Sequence, residues 1–254
     1  MALKCQFLLL KLKETIVFLT LSFIFFSNTL YANDQLMVAV GLAKPPYVFQ
    51  TNNSGFELDL VRNILKKMGK STKFVYTQYG HSSKMLGVKE IDAVMTTNQY
   101  VFSDTSKLSD AYITYQNVAI SLKESNLTIN TIEDLAKYSI ASFQKADKVL
   151  GQNFSDAVNK SPLYLKIADQ SKQPVLLLKK RVEVLIMDIN IFKYFARQLN
   201  VENINDQFTF HPVFPKSHYR MAFKNEDYVQ VFNEFFAKYK QTNEYLRLKE
   251  SYNL

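Results

Sequence analysis

Short apolar runs of strand length alternate along this chain with segments whose apolar positions recur at helical spacing. Leu36 to Val40 is a β-rich run that stops at Gly41, and Lys44-Pro45-Pro46-Tyr47, which no helix accommodates, reads as an extended loop. Gly55 precedes Phe56-Glu57-Leu58-Asp59-Leu60-Val61, which opens a helix running to Lys67 with Gly69 as its stop. Acidic residues in that first turn suit the helix dipole. Phe74 to Tyr76 reads as a strand, a helix passes through Met85 and Leu86, and Ile91 to Met95 is another strand. This β-α-β-α-β order predicts a mostly parallel sheet with helices on its faces.

The alternation then begins again. Asn117 to Leu122 is an apolar strand leading outward, and Thr131-Ile132-Glu133-Asp134-Leu135 reads as a helix start with a Thr cap. Ser139 to Phe143 is a strand, Lys145 to Leu150 starts a helix, and Val184 to Met187 is a buried strand ending at Asp188. Ile189 to Leu199 is a helix, Phe208 to Phe214 leads back, Met221 to Phe223 is a further strand, and Tyr228 to Leu248 is a long amphipathic region. The pattern predicts two α/β lobes.

Charge and cysteine usage narrow the class. Lys4, Lys11 and Lys13 precede an apolar run from Ile16 to Phe26, and a short polar stretch ends Leu30-Tyr31-Ala32. This is the pattern of a cleavable secretory signal peptide over residues 1–32, the run being too short for the roughly twenty residues that span a bilayer. The single Cys, Cys5, lies inside that segment, so the exported part has no disulfide, thiolate metal site or cysteine nucleophile. The net charge of +8 comes from scattered lysines, and the densest cluster, Lys179-Lys180-Arg181, reads as a solvated helix end, so no nucleic-acid partner is expected. His81, His211 and His218 fall in separate segments with no recognisable carboxylate or hydroxyl partner. No metal, cofactor or catalytic residue is predicted, and the expected role is binding by a monomer in the periplasm.

Eight segments in order carry a family resemblance: Leu36-Met37-Val38-Ala39-Val40-Gly41, Pro45-Pro46-Tyr47, Gly55-Phe56-Glu57-Leu58-Asp59-Leu60, Ile91-Asp92-Ala93-Val94, Ser109-Asp110-Ala111-Tyr112, Ile132-Glu133-Asp134-Leu135, Arg181-Val182-Glu183-Val184 and Tyr219-Arg220-Met221-Ala222-Phe223-Lys224. Together they resemble the family 3 solute-binding proteins of bacterial ABC transporters, the group that typically serves polar amino acids. The resemblance implies a type II periplasmic-binding fold with two lobes joined by two crossing strands. Residues 33–118 plus 212–254 would form lobe 1 and residues 119–211 lobe 2, with the ligand in the cleft between them and closure by a hinge motion. It also implies an inner-membrane ABC permease as partner.

By the same resemblance, Thr96, Thr97 and Asn98 align with a hydroxyl-rich ligand loop, Tyr79 with an aromatic that packs on the ligand, and Gln144 with a second-lobe loop at a helix N-terminus. Asp188 stands where the family's acidic residue meets the ligand's amino group; the competing role is an N-cap for the helix from Ile189. The chain departs from the family at Phe102, which replaces an Arg that grips the ligand carboxylate. Lys44 can supply the lost charge as a point charge, though not as a planar fork, with Arg220 a further substitute. The implied ligand is a small polar, amino-acid-like or amine-bearing solute. A sensor partner of a signalling receptor and a small enzyme on the same fold are the other functional readings.

Overall fold

The computed structural model describes residues 35–78, 81 and 84–254. The signal-peptide expectation and Tyr79 lie outside the described residues. Strand β1 (Gln35–Gly41) is followed by helix α1 (Phe56–Lys67), then β2 (Ser71–Thr77), β3 (Ala93–Thr97) and β4 (Ile113–Tyr115). The second stretch runs β5 (Asn117–Leu122), β6 (Ile140–Phe143), α2 (Ala146–Val149), α3 (Gln152–Lys160), β7 (Tyr164–Ile167), α4 (Gln173–Leu178), β8 (Val184–Asp188), α5 (Ile189–Gln198), α6 (Ile204–Gln207) and β9 (Phe208–His211). The chain returns as β10 (Ser217–Phe223), α7 (Asp227–Tyr239) and α8 (Asn243–Ser251).

Two five-stranded sheets result, in the orders β2-β1-β3-β10-β4 and β7-β6-β8-β5-β9. They follow one plan. In the first, β1 is parallel to β2 and β3, while β10 runs antiparallel to β3 and β4. In the second, β6 is parallel to β7 and β8, while β5 is antiparallel to β8 and β9. Strands β3, β5, β6 and β8 are buried along their whole length, which is why they read as continuous apolar runs rather than alternating ones.

The chain crosses between sheets at Gln116 and again over residues 212–216. Asn117 and Val118, expected in the first lobe, are strand residues of the second sheet, paired with Asp188 and Met187. β5 spans the apolar run Asn117–Leu122 itself, and just before it the Gln116 N–H donates to the Asp188 carboxylate at 2.8 Å.

Three local expectations change. The helix expected through Met85 and Leu86 is a single 3-10 turn, Met85–Gly87. The helix expected from Thr131 is also 3-10, Glu133–Lys137, with no side-chain cap; the Asp134 carboxylate instead accepts from the N–H groups of Asn130 and Thr131 ahead of it. Lys44 to Val48 is a tight turn rather than an extended loop, closed by Lys44 N–H to Val48 O at 2.9 Å and Val48 N–H to Lys44 O at 3.0 Å.

Gly55 holds that turn against helix α1. Its φ of 127° lies where L side chains rarely go, and a Cβ there would meet the Tyr47 carbonyl oxygen at 2.4 Å. Phe56 and Glu57 N–H then donate to the carbonyls of Pro46 and Tyr47, each at 3.0 Å. The first turn of α1 is thereby locked to the loop carrying Lys44. Among the described residues, no helix is long and apolar enough to cross a membrane.

Candidate functional site

Lys44, Glu57 and Thr96 reach one point from three elements of the first sheet. The turn after β1 delivers Lys44, the first turn of α1 delivers Glu57, and the end of β3 delivers Thr96. Thr96 has φ of 52°, a left-handed conformation that is unfavourable for a β-branched residue. Its N–H donates to the Tyr112 hydroxyl at 3.0 Å, and its own hydroxyl donates to Glu57 Oε1 at 2.6 Å. Across from it, β10 shifts register between Arg220 and Ala222. Strain and irregular pairing thus meet at the end of one strand.

Glu57 is fully buried and organises the cluster. The Tyr112 hydroxyl donates to Oε1, the Tyr115 hydroxyl to Oε2 at 2.7 Å, and Lys44 Nζ lies 3.4 Å from Oε2. Lys44 Nζ also donates to the Thr96 hydroxyl at 2.8 Å. Every partner of Glu57 donates to it, so the group serves as acceptor only. Burial lowers the Lys44 ammonium's affinity for its proton, an effect that Glu57 opposes. Desolvation, reinforced by Glu57, raises the Tyr112 and Tyr115 phenols well above their ordinary range, so they remain donors.

Asp188 faces this cluster from the second lobe. It ends β8, is 1 % exposed, and caps α5 through Oδ1, which accepts from Asn190 and Ile191 N–H at 2.9 and 3.1 Å. Oδ2 accepts from Gln116 N–H at 2.8 Å. Burial nevertheless raises its pKa to about 6, because three backbone donors and the Tyr47 hydroxyl only partly offset the loss of water. Asp188 is therefore an N-cap, and it also opens onto the cleft.

Between the two groups lies a cavity of about 20 Å³, little more than one water molecule needs. Lys44, Thr96, Tyr115 and Tyr219 line it from the first lobe; Asn117, Phe143, Gln170, Asp188 and Ile191 line it from the second. The lobes also touch directly. Tyr47 stacks on Tyr115 with centroids 4.1 Å apart, and its hydroxyl accepts from Asn190 Nδ2 at 3.0 Å. A solute of amino-acid size enters only when the lobes part.

The structure brings Lys44, Thr96 and Asp188 to this cavity and leaves Thr97, Asn98 and Gln144 off its wall. Thr97 is fully buried, with a hydroxyl that has no hydrogen-bond partner among the described residues. Asn98 accepts from Tyr100 N–H at 3.0 Å and lines a separate depression beside Arg220. Gln144 Nε2 reaches Gln78 Oε1 at 3.5 Å. Arg220 donates to the Ser109 carbonyl at 2.6 Å, and Phe102 packs against a small core cluster with Ile91, Val94 and Leu108. Two histidines do have hydroxyl partners, contrary to expectation: His211 with Ser121 and His218 with Thr114, each at 3.0 Å, and neither lines the cavity. β-pairing brings them together: Ser121 and His211 sit on neighbouring strands β5 and β9, Thr114 and His218 on β4 and β10.

Sequence reasoning missed Glu57, Tyr112 and Tyr115 as parts of the site. Glu57 was legible only as a first-turn acid on α1. The signal lay in its spacing: helix position two faces inward between buried Phe56 and Leu58, where an unpaired acid would be strongly unfavourable.

The family model for bacterial extracellular solute-binding proteins, family 3, matches residues 36–254. No curated protein sequence matches the chain significantly. Among solved structures, an ancestral arginine-binding protein bound to arginine is similar, with a TM-score of 0.71 and 20% identity over 86% of this chain and 98% of that one. The substrate-binding protein of an ABC uptake transporter from Streptococcus pneumoniae, with bound histidine, gives a TM-score of 0.70 at 17% identity, covering 87% and 92%. An ancestral amino acid-binding protein that is a precursor of cyclohexadienyl dehydratase gives 0.69 at 19%, covering 86% and 95%. These identities speak to the fold, which is that of the type II periplasmic binding proteins. On the family match over nearly all of the described residues, this chain belongs to the bacterial extracellular solute-binding proteins, family 3.

Proposed function

We propose that this protein captures a small polar solute, amino-acid-like or amine-bearing, by closing its two lobes, and hands it unchanged to an inner-membrane ABC permease. The observation that carries this reading is the cavity itself, which both lobes line and where Lys44 and Asp188 face each other. Lobe closure supplies the desolvated site in which charge-assisted hydrogen bonds to a solute are strongest. Asp188 serves as the partner of the solute's ammonium group, Tyr115 and Phe143 supply apolar contact, and Thr96 supplies a hydroxyl. The site is complete within one copy of the chain, which supports action as a monomer. The pattern of residues 1–32 supports export to the periplasm through a cleaved signal peptide.

Binding rather than catalysis is favoured by the state of the Glu57 carboxylate. It is fully buried, accepts from Thr96, Tyr112 and Tyr115 and pairs with Lys44, and it does not line the cavity, so it is not placed to act on a solute as general acid or base. A thermal-shift screen of the purified protein against amino acids, amines and short peptides tests the reading. A binder raises the melting temperature in proportion to the logarithm of its concentration. Chemical turnover of any hit would replace this reading with an enzymatic one.

A further inference from the structure

The charges of the cleft do not balance. Among the described residues Lys44 is the one cationic side chain on the cavity wall, and it faces two buried carboxylates, Glu57 and Asp188. The Lys44 ammonium is turned inward, 3.4 Å from Glu57 Oε2 and 2.8 Å from the Thr96 hydroxyl, so two of its three donors serve the protein. Its charge is cancelled at short range in a water-poor site, where a neutral ion pair attracts an incoming carboxylate far less than a free ammonium does. Asp188 is held by three backbone N–H groups and the Tyr47 hydroxyl, and it has no ion pair among the described residues. Around it stand the rings of Tyr115, Tyr219 and Phe143, surfaces that favour an organic cation.

Resting on the solute-binding reading above, we propose that Glu57 sets the ligand class: it neutralises Lys44, and the cleft selects small organic ammonium ions that carry no carboxylate over the matching amino acids. An α-amino acid would bring its carboxylate against Asp188 and a lysine already paired with the buried Glu57 behind the wall. The corresponding amine brings only the charge that Asp188 lacks. The pKa of Asp188, raised to about 6 by burial, agrees, since neither the backbone donors nor the Tyr47 hydroxyl fully offsets the loss of water.

The test uses pairs of probes that differ by the carboxylate alone: isobutylamine with valine, histamine with histidine, cadaverine with lysine. Titration calorimetry on the purified protein at pH 8 measures each pair. The amine of at least one pair is expected to bind roughly tenfold or more tightly than its amino acid. Glu57→Gln keeps the shape and releases Lys44, and is expected to shift that ratio about tenfold toward the amino acid. Tighter binding of the amino acid in every pair that binds would overturn the proposal and leave the solute-binding reading standing. A Glu57→Gln protein that folds and keeps the wild-type ratio would overturn it too. Should Glu57→Gln fail to fold, the wild-type ratios decide alone. If no probe of the three pairs binds, this proposal is overturned, while the solute-binding reading stands or falls with the wider thermal-shift screen.

Discussion

The Tyr47 hydroxyl accepts a hydrogen bond from Asn190 Nδ2 at 3.0 Å, tying the loop after β1 to the first turn of α5 in the other lobe. Tyr47 is held for this by its stacking on Tyr115, whose own hydroxyl anchors on Glu57. The closed arrangement thus rests partly on the protein's own side chains. Tyr47→Phe keeps the stacking and removes the acceptor. A buried hydrogen bond of this kind contributes about 1 kcal/mol, so solute affinity should fall about fivefold. Asn190→Ala should do the same, and the double variant should be no worse than either alone. Additive losses in calorimetry would show that the two side chains act independently.

Affinity for an ammonium-bearing solute should depend on pH through Asp188. Its pKa is raised from 3.8 to about 6, so the folded protein holds this proton more tightly than the unfolded chain. The group's contribution to stability therefore falls as pH rises from about 4 to 6 and is flat above. Binding runs the other way, because the solute needs the ionised form. Affinity should rise by up to about tenfold per pH unit toward pH 6 and level off above 7. Of the groups facing Asp188, the Tyr47 and Tyr219 phenols are pushed up by burial, away from that window, while burial lowers the Lys44 pKa against the opposing pull of Glu57 and Asp188. A flat affinity profile between pH 5 and 7 would contradict this assignment.

Gly55→Ala should unfold the site from a distance. The added methyl would sit 2.4 Å from the Tyr47 carbonyl oxygen, and φ of 127° is itself strained for alanine. Urea denaturation should show a loss on the order of 2 kcal/mol or more. The solute affinity of the folded fraction should fall too, since Lys44 and Tyr47 ride on the displaced turn. A loss within about 0.5 kcal/mol, as at an ordinary surface position, would mean that the loop does not depend on this glycine.

Much of the framework was legible in the sequence. Leu36 to Val40, Phe56 to Lys67 and Val184 to Asp188 announce themselves by period and by turn residues, because burial on a sheet or against a helix imposes that period. Elements with little apolar content did not: β7 at Tyr164–Ile167 is only half-buried, and α4 at Gln173–Leu178 is too short to establish a helical period. The site was legible where one strand end delivers one side chain, as at Asp188 and Thr96. It was hidden where chemistry depends on convergence across 39 to 58 residues, as between Glu57 and its partners Thr96, Tyr112 and Tyr115. Nothing in local spacing tells a helix-turn acid that meets water from one that meets a buried lysine, and that difference decides what Lys44 can do.

The most direct test of the account compares wild type with Asp188→Asn by titration calorimetry against the solutes that raise the wild-type melting temperature. Asparagine still caps α5 through its one oxygen, so the variant should fold, at a lower melting temperature because its NH2 group would face the Gln116 N–H. Wild type should show one saturable site for an ammonium-bearing solute, and the variant should lose at least a hundredfold in affinity. Undiminished binding by a folded Asp188→Asn protein would contradict the central claim that this cleft closes on an ammonium group held by Asp188.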